Sequence, residues 1–179
     1  TKTETACFIV SQSGNLEYKK NVASESDIAA GTYEFKDIRA FEIEKGRYFT
    51  PYECNSGKNL AILGSVISEK LFGRLDPIGK EITVSGFKAT VIGVIKKEGQ
   101  GALGGTGVDQ LTMVPLNFAK SFINMRNPNM NSQVMIKAKP GVSVTELSDD
   151  ATMILRAARR LKPGVKENFS VNQATLLSQ

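Results

Sequence analysis

Turn-forming residues interrupt the middle of the chain every few positions, and this spacing limits its fold more than any other feature of the sequence. Between Leu60 and Ile95 the interruptions are Gly64, Gly73, Asp76-Pro77, Gly79, Ser85-Gly86 and Gly93. Glycine weakens regular structure and proline removes a backbone donor, so long helices or strands are disfavoured across such positions. The segment therefore predicts several short strands and a short helix.

The order of these short elements follows from their residues. Leu60–Leu63 is predicted to be a buried strand, and a helix is predicted from Ser65, as its N-cap, to Phe72, with Gly73 ending it. Two further strands, 81–85 and 87–96, form a predicted hairpin around Ser85-Gly86. A strand over 111–115 and a short helix capped by Asn117 complete the middle of the chain.

The two ends of the chain are predicted to form separate strand and helix units. Residues 6–18 alternate apolar and polar side chains around Ser13-Gly14-Asn15, which predicts a hairpin. Residues 133–139 predict a strand with Val134, Ile136 and Ala138 facing inward. Ser143 and Glu146 fit a capping box for a following helix. An apolar stripe at helical spacing predicts a core face: Leu147, Ala151, Ile154, Leu155, Ala158 and Leu161. Phe169 and Val171 are predicted to begin a final strand.

The charge balance of the chain is basic, but the basic residues do not form one tract. The net charge is +5, with a pI near 9.2. The densest group, Arg156, Arg159, Arg160 and Lys162, falls at a predicted helix C-terminus, where cations complement the helix dipole. Contact with nucleic acid or anionic lipid is the alternative for this group. Since the chain has no Trp and no RNP-like aromatic motif, we expect no nucleic-acid partner.

The residues needed for catalysis, a cofactor or a metal do not occur in the required patterns. The chain has no histidine, which excludes Ser-His-Asp and Cys-His arrangements. Residues 99–104 match G-x-G-x-x-G, but Gly105, Thr106 and Gly107 oppose the helix that a dinucleotide site needs. Asp149-Asp150 and Glu42/Glu44 are interpreted as solvated or ion-paired surface. We therefore predict a domain that is not an enzyme and has no cofactor. The sequence does not decide whether Cys7 and Cys54 form a disulfide.

A membrane-spanning helix is not predicted within this sequence. The longest apolar stretch, Ala89–Ile95, already contains Thr90 and Gly93 and is far shorter than the ~20 residues that a span needs. The sequence begins at Thr1 without methionine or a signal-peptide pattern. We expect it to be a segment of a longer polypeptide.

Five short motifs in the middle of the chain resemble one known family. They are Gly46-Arg47-Tyr48-Phe49-Thr50, Leu60-Ala61-Ile62-Leu63-Gly64, Glu69-Lys70-Leu71-Phe72-Gly73, Asp76-Pro77-Ile78-Gly79-Lys80 and Val91-Ile92-Gly93-Val94. Their order and spacing are similar to the MacB-like periplasmic core domain of ABC-transporter permeases of the MacB/FtsX family, over residues 40–120. These residues bend or fill a scaffold, so the resemblance transfers no catalytic residue.

The resemblance implies an α+β fold with two lobes. A porter-like strand–helix–strand lobe would comprise 1–46 and 132–179, and an inserted, mixed α/β Sabre-like lobe would comprise 47–131. Because the family's porter lobe usually begins with a further strand and helix, this lobe is either truncated at its N-terminus or short in this member.

The resemblance also implies a function. The domain would lie on the periplasmic side of an inner-membrane permease and transmit ATP-driven conformational change, a role called mechanotransmission, for export or efflux. Implied partners are a cytoplasmic ATPase, a second permease copy and a periplasmic adaptor. A stand-alone periplasmic or surface ligand-binding protein is the alternative.

Two loops are the candidate sites of partner contact, because exposed loops carry many binding functions. The residues singled out in them are Gly99, Gln100, Gly101, Gly104, Gly105, Asn127 and Asn129.

Overall fold

The structure, a computed structural model, describes residues 2–99, 107–127 and 130–173. In these ranges the strands are β1 (Thr3–Tyr18), β2 (Asn21–Gly31), β3 (Ile43–Gly46), β4 (Leu60–Leu63), β5 (Glu81–Val84), β6 (Phe87–Ile95), β7 (Leu111–Pro115) and β8 (Asn131–Ala138). The helices are α1 (Phe35–Ile38), α2 (Pro51–Ser56), α3 (Ser65–Phe72), α4 (Leu116–Ala119) and α5 (Val144–Ala158). A 3₁₀ turn over Val108–Gln110 precedes β7.

The elements predicted between Leu60 and Ile95 are confirmed, with one correction at the start of α3. The strand β4, the helix α3 and the β5–β6 hairpin have the predicted order, and Ser85 and Gly86 both have positive φ at the hairpin turn. Gly64, not Ser65, is the N-cap of α3, and no side chain caps this helix. The chain enters the helix directly from β4, so the serine is already its first helical residue.

The hairpin predicted over residues 6–18 is wrong. The segment is one long strand, β1, whose register shifts between Gly14 and Leu16, so the turn signal is a β-bulge. A Cβ on Gly14 would lie 2.6 Å from Cδ1 of Ile28 and 2.4 Å from Oγ of Ser85. A larger residue there would have to displace the side-chain tips of Ile28 and Ser85, so these close approaches favour glycine. The chain reverses only after Tyr18.

Six strands pair in a closed ring. The order is β2–β7–β4–β6–β5–β1, and β1 also pairs with β2. The β2–β7 and β4–β6 pairs are parallel, and the other four pairs of the ring are antiparallel. The strand β3 pairs with β6 at Gly93, Val94 and Ile95, beyond the residues of β6 that pair with β5. Such closure removes open edges between these strands.

Two apolar clusters pack against opposite faces of the strands, because successive side chains alternate sides. In β4, Ala61 and Leu63 belong to the first cluster and Ile62 to the second. The first cluster also contains Leu71 and Phe72 of α3 and Phe118 of α4. The second is rich in aromatic residues and sulfur: Cys7, Phe35, Phe49, Cys54 and Met113 are buried in it.

The chain divides into two compact units whose boundaries differ from those of the predicted lobes. Unit 1 comprises Thr1–Thr5 and Ile136–Gln179, and unit 2 comprises Ala6–Met135. Residues 6–46, predicted to be porter-like, fall in unit 2 because β1, β2 and β3 pair with strands of the 47–131 segment. The mixed α and β composition of the predicted fold class is confirmed.

The predicted burial of the last third of the chain is wrong. Of the apolar stripe on α5 only Leu147 is buried; Ile154 is 68% exposed and Ala158 is exposed. On β8, Val134 and Ile136 are exposed, and Met135 instead packs on the second cluster. Periodicity identified the helix and the strand, but it did not determine which of their faces are covered.

Three local predictions near the chain's other elements are also corrected. Ser143 is the N-cap of α5, but its side chain makes no capping hydrogen bond, and the Glu146 side chain pairs with Lys2. Asn117 lies within α4 and donates to the carbonyl oxygens of Cys54 and Asn55. No strand forms over Phe169 and Val171, which lie in irregular backbone within the described residues.

No helix in the described ranges has both the length and the apolar character needed to cross a membrane.

Candidate functional site

At the start of the Gly46–Thr50 motif, the backbone at the end of β3 lies in close contact with the backbone of β6. Gly46 has φ +76°, and a Cβ on it would lie 2.0 Å from the carbonyl oxygen of Ile92. The amide of Arg47 donates to that same oxygen at 3.0 Å. A Cβ on Gly93 would in turn lie 2.6 Å from the carbonyl oxygen of Arg47. Two motifs far apart in sequence thus meet in a contact that admits only glycine.

Arg47, Thr50 and Glu53 form one hydrogen-bonded cluster at the start of α2. The Arg47 guanidinium donates two bonds to the carboxylate of Glu53, at 2.7 and 2.8 Å. Glu53 also accepts from the Thr50 amide, while the Thr50 hydroxyl accepts from the Glu53 amide. This is a reciprocal capping box reinforced by a bidentate ion pair.

The cluster lowers the pKa of the Glu53 carboxyl group strongly. The hydrogen bond from Arg47, together with those from Thr50, outweighs burial and lowers the pKa of Glu53 to about 2. The Glu53 side chain is only 17% exposed, whereas that of Arg47 is 52% exposed. The cluster stabilises the ionised carboxylate, and its role is structural because both charges are already satisfied.

The other motif residues also shape backbone. A Cβ on Gly64 would lie 2.3 Å from the carbonyl oxygen of Val108. The Asp76 carboxylate accepts from the Ile78 amide, and the Gly79 amide donates to Val91. Gly79 has positive φ but open space around it. The motif run is a set of turns and close approaches, in agreement with the structural interpretation of the sequence.

Asp109 holds the start of the glycine-rich loop at 99–107. Its two carboxylate oxygens accept from the amides of Glu98 and Gly99, each at 2.9 Å. Gly99 has φ +77°. The other predicted contact residues of this loop, Gln100, Gly101, Gly104 and Gly105, lie outside the described residues.

The Asp109 carboxylate is buried yet ionised. Burial by itself raises its pKa, but the amides of Glu98 and Gly99 outweigh this effect and hold the pKa below its usual value. In an asparagine an NH2 group replaces one of the two carboxylate oxygens, so it directs a donor at one of these two amide donors.

We therefore expect Asp109→Asn to release the start of the loop. The amide of Glu98 or Gly99 should exchange with solvent at least about tenfold faster, and unfolding should become easier by about 1–2 kcal/mol. Hydrogen exchange measured by NMR checks this. Asp37→Asn, which changes an exposed carboxylate paired with Lys36, is the control. Unchanged protection of both amides would contradict the assigned role of Asp109.

The second predicted contact loop adjoins a polar surface depression. Asn127 lines it, together with Ser11, Gln12, Asn124, Met130 and Asn131. The Asn131 side chain donates to the Ser11 hydroxyl, and Asn124 accepts from the Arg126 amide. The lining carries no charged side chain among these residues. Asn129, the other predicted residue, lies outside the described ranges.

The remaining titratable groups form no reactive arrangement within the described ranges. Glu42 pairs with Lys96, and Asp150 pairs with Lys2. Within these ranges no group of three or more acidic or cysteine side chains could hold a metal. Cys7 and Cys54 are unbonded and buried. Burial raises the pKa of both thiols, that of Cys54 to about 11, which disfavours the reactive thiolate.

Two structurally important carboxylates were missed by the sequence analysis. Glu53 could have been found, because Thr50-Pro51-Tyr52-Glu53 has the S/T-x-x-E spacing of a capping box with proline at the first helical position. Asp109 could not, because its partners are backbone amides, those of Glu98 and Gly99, and no side-chain pattern marks them.

The geometry described here is that of a structural scaffold with surface loops, and the family comparison agrees with it. Residues 4–154 match the model of the MacB-like periplasmic core domain. The chain therefore belongs to the MacB-like periplasmic core domain family, whose members are periplasmic domains of ABC-transporter permeases.

The matching relatives are much longer proteins. The macrolide export ATP-binding/permease protein MacB 2 of Aeromonas hydrophila is 25% identical over 92% of this chain, which covers 24% of that protein. The pyoverdine export ATP-binding/permease protein PvdT of Pseudomonas aeruginosa is 25% identical over 84% of this chain and 24% of its own length. This chain thus spans about a quarter of these relatives.

Solved structures share the fold. The extracellular domain of the ABC-type transporter YknZ from Gram-positive bacteria superposes with a TM-score of 0.75 at 20% identity, covering 90% of this chain and 79% of that domain. The periplasmic region of MacB from Actinobacillus actinomycetemcomitans gives a TM-score of 0.74 at 15% identity, covering 89% and 69% respectively.

Proposed function

We propose that this chain is the extracytoplasmic domain of an inner-membrane ABC-transporter permease and that it transmits ATP-driven conformational change to periplasmic partners during export or efflux. The observation that carries the proposal is the family match over residues 4–154, together with relatives that are ATP-binding/permease proteins. The satisfied charges of the Arg47–Glu53 cluster and of Asp109 support a mechanical role rather than a catalytic one.

The proposal includes the two-lobed organisation. Unit 2 would contain the inserted Sabre-like lobe, and unit 1 would form part of the porter-like lobe. The chain enters unit 2 along β1 and leaves it along β8, which are neighbouring strands. An insertion whose two ends lie side by side can be accommodated without disrupting the host fold, which supports this assignment.

The proposed partners are an ATPase on the cytoplasmic side, a second copy of the permease and a periplasmic adaptor. Coupling can be tested on the whole transporter in lipid nanodiscs with spin labels at two exposed positions, one in each unit, such as Lys70 in unit 2 and Asp149 in unit 1. The distance distribution should change on ATP binding and remain unchanged when the ATPase is inactivated. An identical distribution in every nucleotide state would contradict transmission through this domain.

The loop at 99–107 is proposed to contact the adaptor. Replacing Gly99–Gly107 with a short rigid turn should remove at least about nine-tenths of the co-purifying adaptor, because contacts on loops held by a rigid scaffold dominate such sites. Co-expressed permease and adaptor provide the measurement, with thermal unfolding as the check on folding. The control replaces Ser85-Gly86 with Asn-Gly, which changes the sequence of the β5–β6 turn and preserves its hairpin geometry. Full adaptor recovery with the replaced loop would eliminate this contact.

A further inference from the structure

The C-terminal part of α5 and the segment after it expose large apolar side chains. Met153 is 63% exposed, Ile154 is 68% exposed and Val165 is 46% exposed. Met153 and Ile154 are adjacent on the helix, and the exposed Ala157 lies one turn later on the same side. Exposed apolar groups of this size next to one another indicate a contact surface rather than ordinary surface variation.

Exposed basic residues follow these apolar residues in the sequence, at and just after the end of α5. Arg160, Lys162 and Lys166 are exposed, and none of the three side chains makes an ion pair or hydrogen bond within the described part of the chain. In the described residues no side chain of this basic group bonds a carbonyl oxygen of α5, and Arg156 and Arg159 bond the segment after the helix instead.

Arg156 and Arg159 fold the following segment back on the helix. Arg156 donates to the carbonyl oxygens of Lys162 and Val165 and pairs with Glu167. Arg159 donates to Asn168 and lies over the ring of Phe169. These contacts keep Val165 and the lysines beside the end of α5.

The acidic side chains of unit 1 do not neutralise this surface. Glu146 and Asp150 are both engaged by Lys2, near the start of α5. Glu167 is engaged by Arg156, and Asp149 lies in the second turn of the helix. The end of α5 is therefore both apolar and positively charged.

We propose that Met153, Ile154, Arg160, Lys162, Val165 and Lys166, here called the α5 tip, bind an anionic phospholipid surface. The lysines and Arg160 would contact phosphate headgroups while Met153 and Ile154 enter the interface between headgroups and acyl chains. A cationic surface with exposed apolar side chains is the combination that such membranes attract. Nucleic acid requires no apolar residues here, and a second copy would bring like charges together. This inference is independent of the transmission role.

The test is co-sedimentation of the full chain with vesicles of phosphatidylcholine alone or with phosphatidylglycerol. Binding should require the anionic lipid and weaken as salt rises. Lys162→Glu/Lys166→Glu should lower the partition coefficient at least about twentyfold, since each basic side chain contributes about fivefold. Met153→Ser/Ile154→Ser should lower it at least about tenfold. Both changes are at exposed positions, and circular dichroism checks that the fold is kept.

Matched variants in unit 2 control for overall charge and apolarity. Lys58→Glu/Lys70→Glu changes the net charge equally, and Tyr52→Ser/Leu75→Ser removes apolar side chains that are 72% and 60% exposed. Binding by these controls should equal that of the unaltered chain. The proposal fails if anionic vesicles are not bound, if Met153→Ser/Ile154→Ser binds normally, or if the controls lose as much binding. It also fails if the tip variants instead abolish self-association or DNA binding while vesicle binding persists.

Discussion

Gly46→Ala is expected to destabilise unit 2 by at least about 4 kcal/mol, enough to prevent accumulation of folded protein. The new Cβ would lie 2.0 Å from the carbonyl oxygen of Ile92, which is backbone and cannot rotate away. That oxygen also accepts the Arg47 amide, so relieving the clash breaks the β3–β6 connection. Urea unfolding followed by circular dichroism measures the effect.

Gly79→Ala is the matched control for this change. Gly79 has nearly the same positive φ, +77°, but nothing lies within 4 Å of its would-be Cβ. Only the conformational cost of a left-handed residue remains, about 1–2 kcal/mol. Equal losses in the two variants would mean that backbone conformation alone, and not the close approach to β6, explains the glycine.

Glu53→Ala is expected to lower the free energy of unfolding by about 2–3 kcal/mol. The change removes half of the capping box and leaves the Arg47 guanidinium without its carboxylate. Glu81→Ala breaks the Lys88 pair, whose side chains are both largely exposed, and should cost no more than about 0.5 kcal/mol. Chemical unfolding at pH 7 compares the two. A loss of the same small size for Glu53→Ala would mean that the Arg47–Glu53 cluster contributes little to the stability of the fold.

The same carboxylate should make stability depend on pH. Because the folded pKa of Glu53 lies at about 2, below its ordinary value of 4.5, its contribution is fully present above about pH 4.5 and is lost as the pH falls towards 2. Since Arg47 is half exposed, the expected contribution is about 1–2 kcal/mol. Glu53→Gln should flatten that part of the stability curve, and an unaltered slope would contradict the low pKa.

The central elements could be predicted because their ends are encoded locally. Gly73, Asp76-Pro77 and Ser85-Gly86 each specify a turn through their own backbone preferences, and the structure forms turns at all three. The turn prediction was wrong at Gly14, where the side-chain tips of Ile28 on β2 and Ser85 in the β5–β6 turn come close and favour glycine. Identical residue types therefore signal a turn or a close approach, and only the tertiary contacts distinguish them.

Side-chain periodicity predicted elements better than it predicted burial. The alternation of apolar and polar residues correctly located β8, and the helical spacing of apolar residues located α5. However, Val134 of β8 and Ile154 of α5, both predicted to face the core, are exposed. A pattern identifies two faces of an element, and what covers each face depends on distant segments. The candidate site was only partly predictable. Gly99 was selected from the sequence, whereas its partner Asp109 binds backbone amides, which no side-chain pattern marks.

The location of the native polypeptide shows whether this chain is part of a permease anchored in the membrane. Antibody raised against this chain should detect a protein that stays with the membrane after alkaline-carbonate washing, as expected for a permease domain. Protease added outside spheroplasts should degrade the detected region while cytoplasmic proteins survive. A native protein recovered entirely in the soluble fraction, or protected until the cells are lysed, would contradict the assignment.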